Sequence, residues 1–308
     1  MISVLATEDG FGHRKDAVGE EENFAALIEG VRPELVRYCA RMMGGTIDGE
    51  DVVQETLARA FVERAALREA PALRGWLFRI AHNCAIDALA ARSRRNGDVS
   101  VEDADVTDAE PTADEALDRA QAIQLALGCF LELAPAQRAC VILKDVLGCS
   151  LEEVGEVLGL TVPAVKAALH RGRERLRGAP PVADASAPHP APARRHAPAV
   201  LRYAELFNGR NFDGIRAMLA EDVKLDLVNR EKRRGARNVG HYFANYERIG
   251  RCILRAAWLD GRPVLAAFLE AEELPAYVIV VESENGAIVE VRDFRYARHV
   301  LDGARLTF

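Results

Sequence analysis

Through most of the first 180 residues, apolar positions recur three and four apart, the spacing of a helix with one face to bury. Leu151, Val154 and Leu158 form one such stripe, and Val162, Val165 and Leu169 form a second directly after it. Ser150 with Glu153 reads as a capping box opening the first helix, and Gly159 ends it. Thr161 caps the second helix, whose Pro163 falls in the first turn, where a missing N–H costs little. Upstream, residues 51–61 bring Val52, Leu57 and Phe61 onto a helix, and residues 73–89 place Trp76 at a spacing that favours the core. Past residue 197 the texture changes. Residues 200–207, 212–219 and 239–248 read as helices, and residues 223–228, 252–259, 264–270 and 276–282 as strands. The turn Asn285-Gly286 leads into a last strand at 288–296. Helices followed by an antiparallel meander predict an α+β unit behind an all-α one.

Composition changes this picture in three respects. At 308 residues the chain exceeds what one core usually serves, and 49% apolar residues suffice for two or three packed domains. No run approaches the roughly 18 apolar residues of a membrane span, and the start lacks a signal-peptide pattern, so no membrane association and a cytoplasmic protein are expected. Cys39, Cys84, Cys129, Cys140, Cys149 and Cys252 show no Cys-x-x-Cys pair, which points to buried reduced thiols, no metal site and no cofactor.

The net charge of -7 conceals segregation along the chain. Acids gather in the N-terminal tail and between Asp98 and Asp118, a stretch without lysine or arginine that reads as a linker. Between Thr161 and Arg177 five cations face one acid. Lys166, His170, Arg171, Arg173 and Arg175 are expected on the outer face of the second helix. Such a helix suits a major groove, with early residues at base edges and later arginines on phosphates. An amphipathic hairpin with a solvated basic face fits the same pattern. Residues 178–197, rich in Pro and Ala, read as an extended spacer that would reach on the order of 60 Å as polyproline II.

Asp51-Val-Val-Gln-Glu, then Trp76-Leu-Phe-Arg-Ile-Ala-His-Asn-Cys-Ala-Ile-Asp87, then an acidic connector and a helix-turn-helix together resemble the extracytoplasmic-function (ECF) RNA polymerase sigma factors of the sigma-70 family. The resemblance covers residues 24 to 178. It implies two all-α domains, a region-2 bundle at 23–95 and a region-4 helix-turn-helix at 118–178, joined by an acidic linker at 96–117 and preceded by a tail at 1–22. It further implies core RNA polymerase and promoter DNA as partners, and a non-enzymatic role in promoter recognition and melting. Carried over by position, Asp51, Gln54, Glu55 and Arg59 would face core polymerase. Asn83, Asp87, Arg92, Arg94 and Arg95 would meet the proximal, melted promoter element, with Asn83 holding an unstacked base. Thr161, Lys166, Ala167, His170, Arg171, Arg173 and Arg175 would meet the distal element. Where the family commonly has Lys-Ser-Arg-Leu-x-Arg, this chain has Lys166-Ala-Ala-Leu-His-Arg171, so two polar readers become methyl groups that cannot make bidentate hydrogen bonds. The acidic linker reads either as a soluble spacer or as a nucleic-acid mimic.

Beyond a second linker at 179–197, the order of elements in 198–308 and the run Asn211-Phe-Asp-Gly-Ile-Arg-Ala-Met-Leu-Ala-Glu-Asp-Val223 resemble the SnoaL-like cone fold, which some ECF sigma factors carry as an extension. That resemblance implies a cavity, with Asp226, His241, Tyr242, Trp258 and Arg292 as candidate lining. Tyr246, Asp293 and Tyr296 are further candidates. No spacing among them identifies a catalytic dyad. The expectation is a fused regulatory module, with an unidentified small ligand or with contact to the sigma-like domains. A one-component regulator sensing a ligand, or a DNA-tethered enzyme, are the alternative readings.

Overall fold

The computed structural model describes residues 12–64, 73–96, 127–177, 196–248, 252–269 and 272–308. Most of the tail, the acidic linker and the Pro/Ala linker lie outside these residues. Helix α1 (Gly12–Met43) ends at Gly44, whose φ of 75° turns the chain into α2 (Thr46–Glu63). The two helices touch at Gly49, where a Cβ would come within 2.6 Å of the Ala40 backbone, so the close approach requires glycine. Helix α3 (Leu73–Asn96) completes the bundle. A 3₁₀ segment (Leu127–Glu132) and α4 (Pro135–Val141), which runs on as a π turn (Ile142–Val146), lead to α5 (Leu151–Leu158) and α6 (Val162–Leu176).

The two helical parts, read from sequence as domains apart, share one core. Leu35, Tyr38, Met42, Val53, Leu77 and Phe78 join Phe130, Ile142, Leu143, Val154, Val165 and Leu169 in one continuous buried cluster. Polar contacts fasten the seam. Arg138 of α4 donates to the Met42 carbonyl at the end of α1 (2.5 Å), and Arg74 of α3 bridges Glu34 (2.8 Å) and the Cys149 thiol (3.4 Å).

Helices α7 (Pro198–Asn208) and α8 (Phe212–Arg216) precede a seven-stranded sheet. Its strands are β1 (Leu219–Leu227), β2 (Glu231–Arg234), β3 (Cys252–Leu259), β4 (Arg262–Leu269), β5 (Tyr277–Glu284), β6 (Ala287–Asp293) and β7 (Leu306–Thr307). The order is β2-β1-β6-β5-β4-β3-β7, with β1 parallel to β6 and the other pairs antiparallel. The expected meander is β3 to β6. Both its two-residue turns, Asp260-Gly261 and Asn285-Gly286, have positive φ at each position, which suits the twist of a tight hairpin. The helix expected at 239–248 is two short ones, α9 (Ala236–Gly240) and α10 (Phe243–Arg248).

The sheet buries both faces. One packs Leu225, Leu254, Leu265, Ile279 and Val291 under the aromatic side chains of Tyr203, Phe207, Phe243 and Tyr246. The other packs Ala257, Val264, Ala266, Val278 and Val280 with Phe294 and Val300, and into this cluster inserts Ile47 from the first turn of α2. Ile47 is 3% exposed, a burial of about 1.5–3 kcal/mol that ties the C-terminal unit to the helical one.

Candidate functional site

Helix α2 carries Asp51, Gln54, Glu55 and Arg59 on one side, and the C-terminal sheet sits over the first two. Arg292 of β6, 8% exposed, donates to both carboxylate oxygens of Asp51, at 3.1 Å from Nη1 to Oδ2 and closely from Nη2 to Oδ1. Burial pushes the Asp51 carboxyl upward against the pull of Arg292. Gln54 donates closely to the Asn229 side chain, which also accepts from Arg32 at 3.2 Å. Asn229 stands in the β1–β2 turn with φ 69°. Between these contacts Glu50, 1% exposed, accepts from Gln54 (2.7 Å) and Arg32 (3.2 Å) and pairs with His299 Nε2 (2.7 Å). Burial alone would raise the Glu50 carboxyl, but His299, Gln54 and Arg32 outweigh it and hold it below its ordinary value. At the helix start Asp48 pairs with Arg262, and the Thr46 amide donates to Asp260 (3.1 Å). Glu55 and Arg59 lie beyond this cover, paired with one another at 2.7 Å. A cleft of about 700 Å³ runs along the seam between Glu55 and Lys232.

On α3, residues 82, 83, 86 and 87 share one helix face. His82, exposed Asn83, Ile86 and Asp87 line a pocket of about 290 Å³ whose far wall is Ala136 of α4. Asp87 is 67% exposed and lies 3.4 Å from Arg59. Arg94 and Arg95 are exposed at the helix end, whereas Arg92 is half-buried and turned to Asp48 at 3.6 Å.

The helix-turn-helix forms as its caps dictate. The Ser150 amide donates to Glu153 (2.6 Å), the Glu153 amide to the Ser150 hydroxyl (3.0 Å), and Gly159 turns the chain with φ 67°. The Thr161 hydroxyl accepts from the Ala164 amide (3.3 Å), so its oxygen is engaged as a cap. Lys166 and Arg175 are exposed, and His170 and Arg171 half-buried. Two expectations are corrected. Arg173 points inward, gripping Asp145 with Nε–Oδ2 at 2.9 Å and Nη2–Oδ1 at 2.7 Å, both side chains buried. Ala167 is 3% exposed and offers no methyl to a groove.

The candidate cavity residues of the C-terminal unit do not converge. Asp226 and Arg292 face α2, 3.9 Å apart; His241 is exposed; Trp258 meets the His196 ring at 4.7 Å. Only Tyr242 reaches the interior polar cluster, and that cluster centres on Asp293. The hydroxyls of Tyr242 and Tyr246 (2.9 Å) donate to Oδ2, the Arg295 amide donates to Oδ1 (2.8 Å), and Tyr277 links Tyr246 (3.1 Å) to the Arg295 guanidinium (2.9 Å). Burial raises all three tyrosines, with the Asp293 charge adding to it, so they stay protonated donors around one carboxylate. Among the described residues no group of three or more His, Cys, Asp or Glu could hold a metal ion, and no helix is long and apolar enough to cross a membrane.

The helical part matches two family models, Sigma-70 region 2 over residues 27–95 and Sigma-70, region 4 over residues 123–176. It is similar to the ECF RNA polymerase sigma factor SigG of Mycobacterium tuberculosis, 36% identical over 204 residues, which are 59% of this chain and 54% of SigG. It is also similar to SigW of Bacillus subtilis, 32% identical over 171 residues, which are 52% of this chain and 89% of SigW. The chain belongs to the ECF sigma factors. It spans about half the length of SigG. A crystal structure of the ECF sigma factor SigJ of M. tuberculosis aligns over 87% of this chain and 95% of SigJ, at 19% identity and a TM-score of 0.34.

For an ECF sigma factor, the feature that sequence reading missed is the cover on α2. Nothing local to Asp51 signals a partner 241 positions away. The inward turn of Arg173, by contrast, had a signal: it shares the stripe of Leu169 and Leu176, four and three positions away, and residues so spaced lie on one helix face.

Proposed function

We propose that this chain binds core RNA polymerase through α2, directs it to promoters through α3 and α6, and regulates itself with a SnoaL-like domain at 198–308 seated over the polymerase-facing helix. The observation that carries this reading is the pairing of Arg292 with Asp51 and of Asn229 with Gln54. Those two side chains of α2 are the ones expected to meet core polymerase, and they cannot serve the sheet and the polymerase together. Docking and core binding then compete. A docked state favoured a hundredfold lowers the apparent core affinity about a hundredfold, because only the undocked fraction is competent.

Asn83 lines a pocket for one unstacked base, with Arg94 and Arg95 placed for phosphates. Lys166, Arg171 and Arg175 meet the distal element, Arg171 on a half-buried face, and contacts made mostly to phosphate carry affinity more than sequence information. The C-terminal domain acts without catalysis. Its one buried carboxylate, Asp293, is saturated by donors, which holds it ionised and occupied. The protein works in the cytoplasm, where polymerase and promoter DNA are.

Comparing the full chain with one ended at residue 178 in core binding and run-off transcription tests this. The shortened chain should bind core polymerase more tightly. Equal affinity would remove the regulatory part of the proposal, and failure of both to bind would remove the rest.

A further inference from the structure

The pocket beside Asn83 contains a second polar side chain whose hydrogen is placed by the fold. His82 lines that pocket, and its Nδ1 lies 3.0 Å from the hydroxyl of Tyr38 on α1. Tyr38 is fully buried, its hydroxyl is pushed well above the ordinary range by burial, and Nδ1 is its one hydrogen-bond partner among the described residues. A buried hydroxyl that fails to donate costs about 1–3 kcal/mol. The Tyr38 proton therefore points at Nδ1, and the imidazole carries its own hydrogen on Nε2. The ring edge remote from Tyr38 is a donor.

We propose that His82, held in this tautomer by Tyr38, is a base-reading residue. It acts with Asn83 and Asp87 on a single unstacked base that carries a ring acceptor beside an exocyclic amine, as cytosine and adenine do. The chemistry follows from the lining. A ring N–H donor suits the acceptor N3 of cytosine or N1 of adenine, and the Asp87 carboxylate or the Asn83 carbonyl suits the adjacent amine. Thymine and guanine present a ring N–H at that place and would oppose the His82 donor. Ile86 and Ala136 supply apolar walls. A volume of about 290 Å³ is near the lower bound of ligand pockets, enough for one base and too small for a stacked pair. Tyr38 is a positioning residue, since it acts through His82.

This inference rests on the promoter-reading role of Asn83 proposed above, and the experiment separates the two. The full chain, assembled with core polymerase, is titrated with forked oligonucleotides bearing each of the four bases in turn at each single-stranded position. Wild type should prefer cytosine or adenine at one position. His82→Ala and Tyr38→Phe should each reduce that preference about tenfold, the size of one good polar base contact, while overall affinity for the preferred fork falls no further than the preference does. Arg94→Ala should weaken all forks alike. If Asn83→Ala abolishes the preference while both His82→Ala and Tyr38→Phe retain it, the inference fails and the pocket stands. A wild-type preference for thymine or guanine overturns the base class. No preference at any position, with Asn83→Ala indifferent, overturns the underlying reading. Should Tyr38→Phe fail to fold, His82→Ala decides alone.

Discussion

Arg292 grips the carboxylate of Asp51 with both terminal nitrogens, joining β6 of the C-terminal sheet to the helix that in ECF sigma factors is expected to face core polymerase. Asp51 is still 49% exposed on its side chain, so solvent screens the pair and its net worth falls below that of an enclosed one. The contact also includes Glu50 with His299, Gln54 with Asn229, and the apolar insertion of Ile47.

Arg292→Glu places like charges against Asp51 and should release the domain in part. With Ile47 and Glu50 still holding, the expected gain in core polymerase affinity is about three- to tenfold, read by fluorescence titration. Arg292→Lys should fall between, because a lysine cannot reproduce the two-pronged geometry. No change in either variant would mean that this pair does not govern access to α2.

Arg173 and Arg175 should separate cleanly. Breaking the buried Arg173–Asp145 pair leaves an uncompensated carboxylate, so Arg173→Ala should cost about 3–5 kcal/mol of stability in denaturant titration. Arg175 is exposed, and Arg175→Ala should leave stability nearly unchanged. In the assembled holoenzyme it should weaken promoter binding across sequences and reduce the salt slope by about one. The reverse pattern would mean that Arg173 turns outward in the working protein.

Docking should depend on acid through Glu50. Its carboxyl is held below the ordinary value in the docked state, so its contribution is complete at neutral pH and is lost as pH falls through and below the ordinary carboxylate range, near 4. Asp51, pushed upward, works in the opposite direction, so the readout is a difference between variants. Small-angle scattering from pH 7 to pH 4 should show the wild-type chain expanding at the acid end. Glu50→Gln should be more expanded at pH 7 and change less on acidification. Identical profiles for the two chains would remove Glu50 from the docking contact.

Local features of this protein were legible and long-range ones were not. The capping box of Ser150 and Glu153 and the Asn285-Gly286 turn are complete within four residues, and each formed where the sequence placed it. Strand β2 was missed because Glu231-Lys-Arg-Arg234 shows no apolar alternation. It is an edge strand pairing only with β1, and charge is what such an edge carries. The shared core of the helical part was also hidden. Helical periodicity tells which face is buried, as for Tyr38 and Leu169, but not which partner buries it. The Asp51–Arg292 pairing is of the same kind, since two charges on separate elements look solvated until the fold brings them together.

The central claim is that α2 cannot hold core polymerase while the C-terminal sheet covers it. Gln54 and Asn229 meet in that contact, so a chain carrying Gln54→Cys and Asn229→Cys can be locked by oxidation and released by reductant. Core polymerase binding by this one chain, measured before and after reduction, is the most direct test. The account predicts no assembly when locked and assembly restored on reduction. Equal binding in both states, with the crosslink verified, would contradict it.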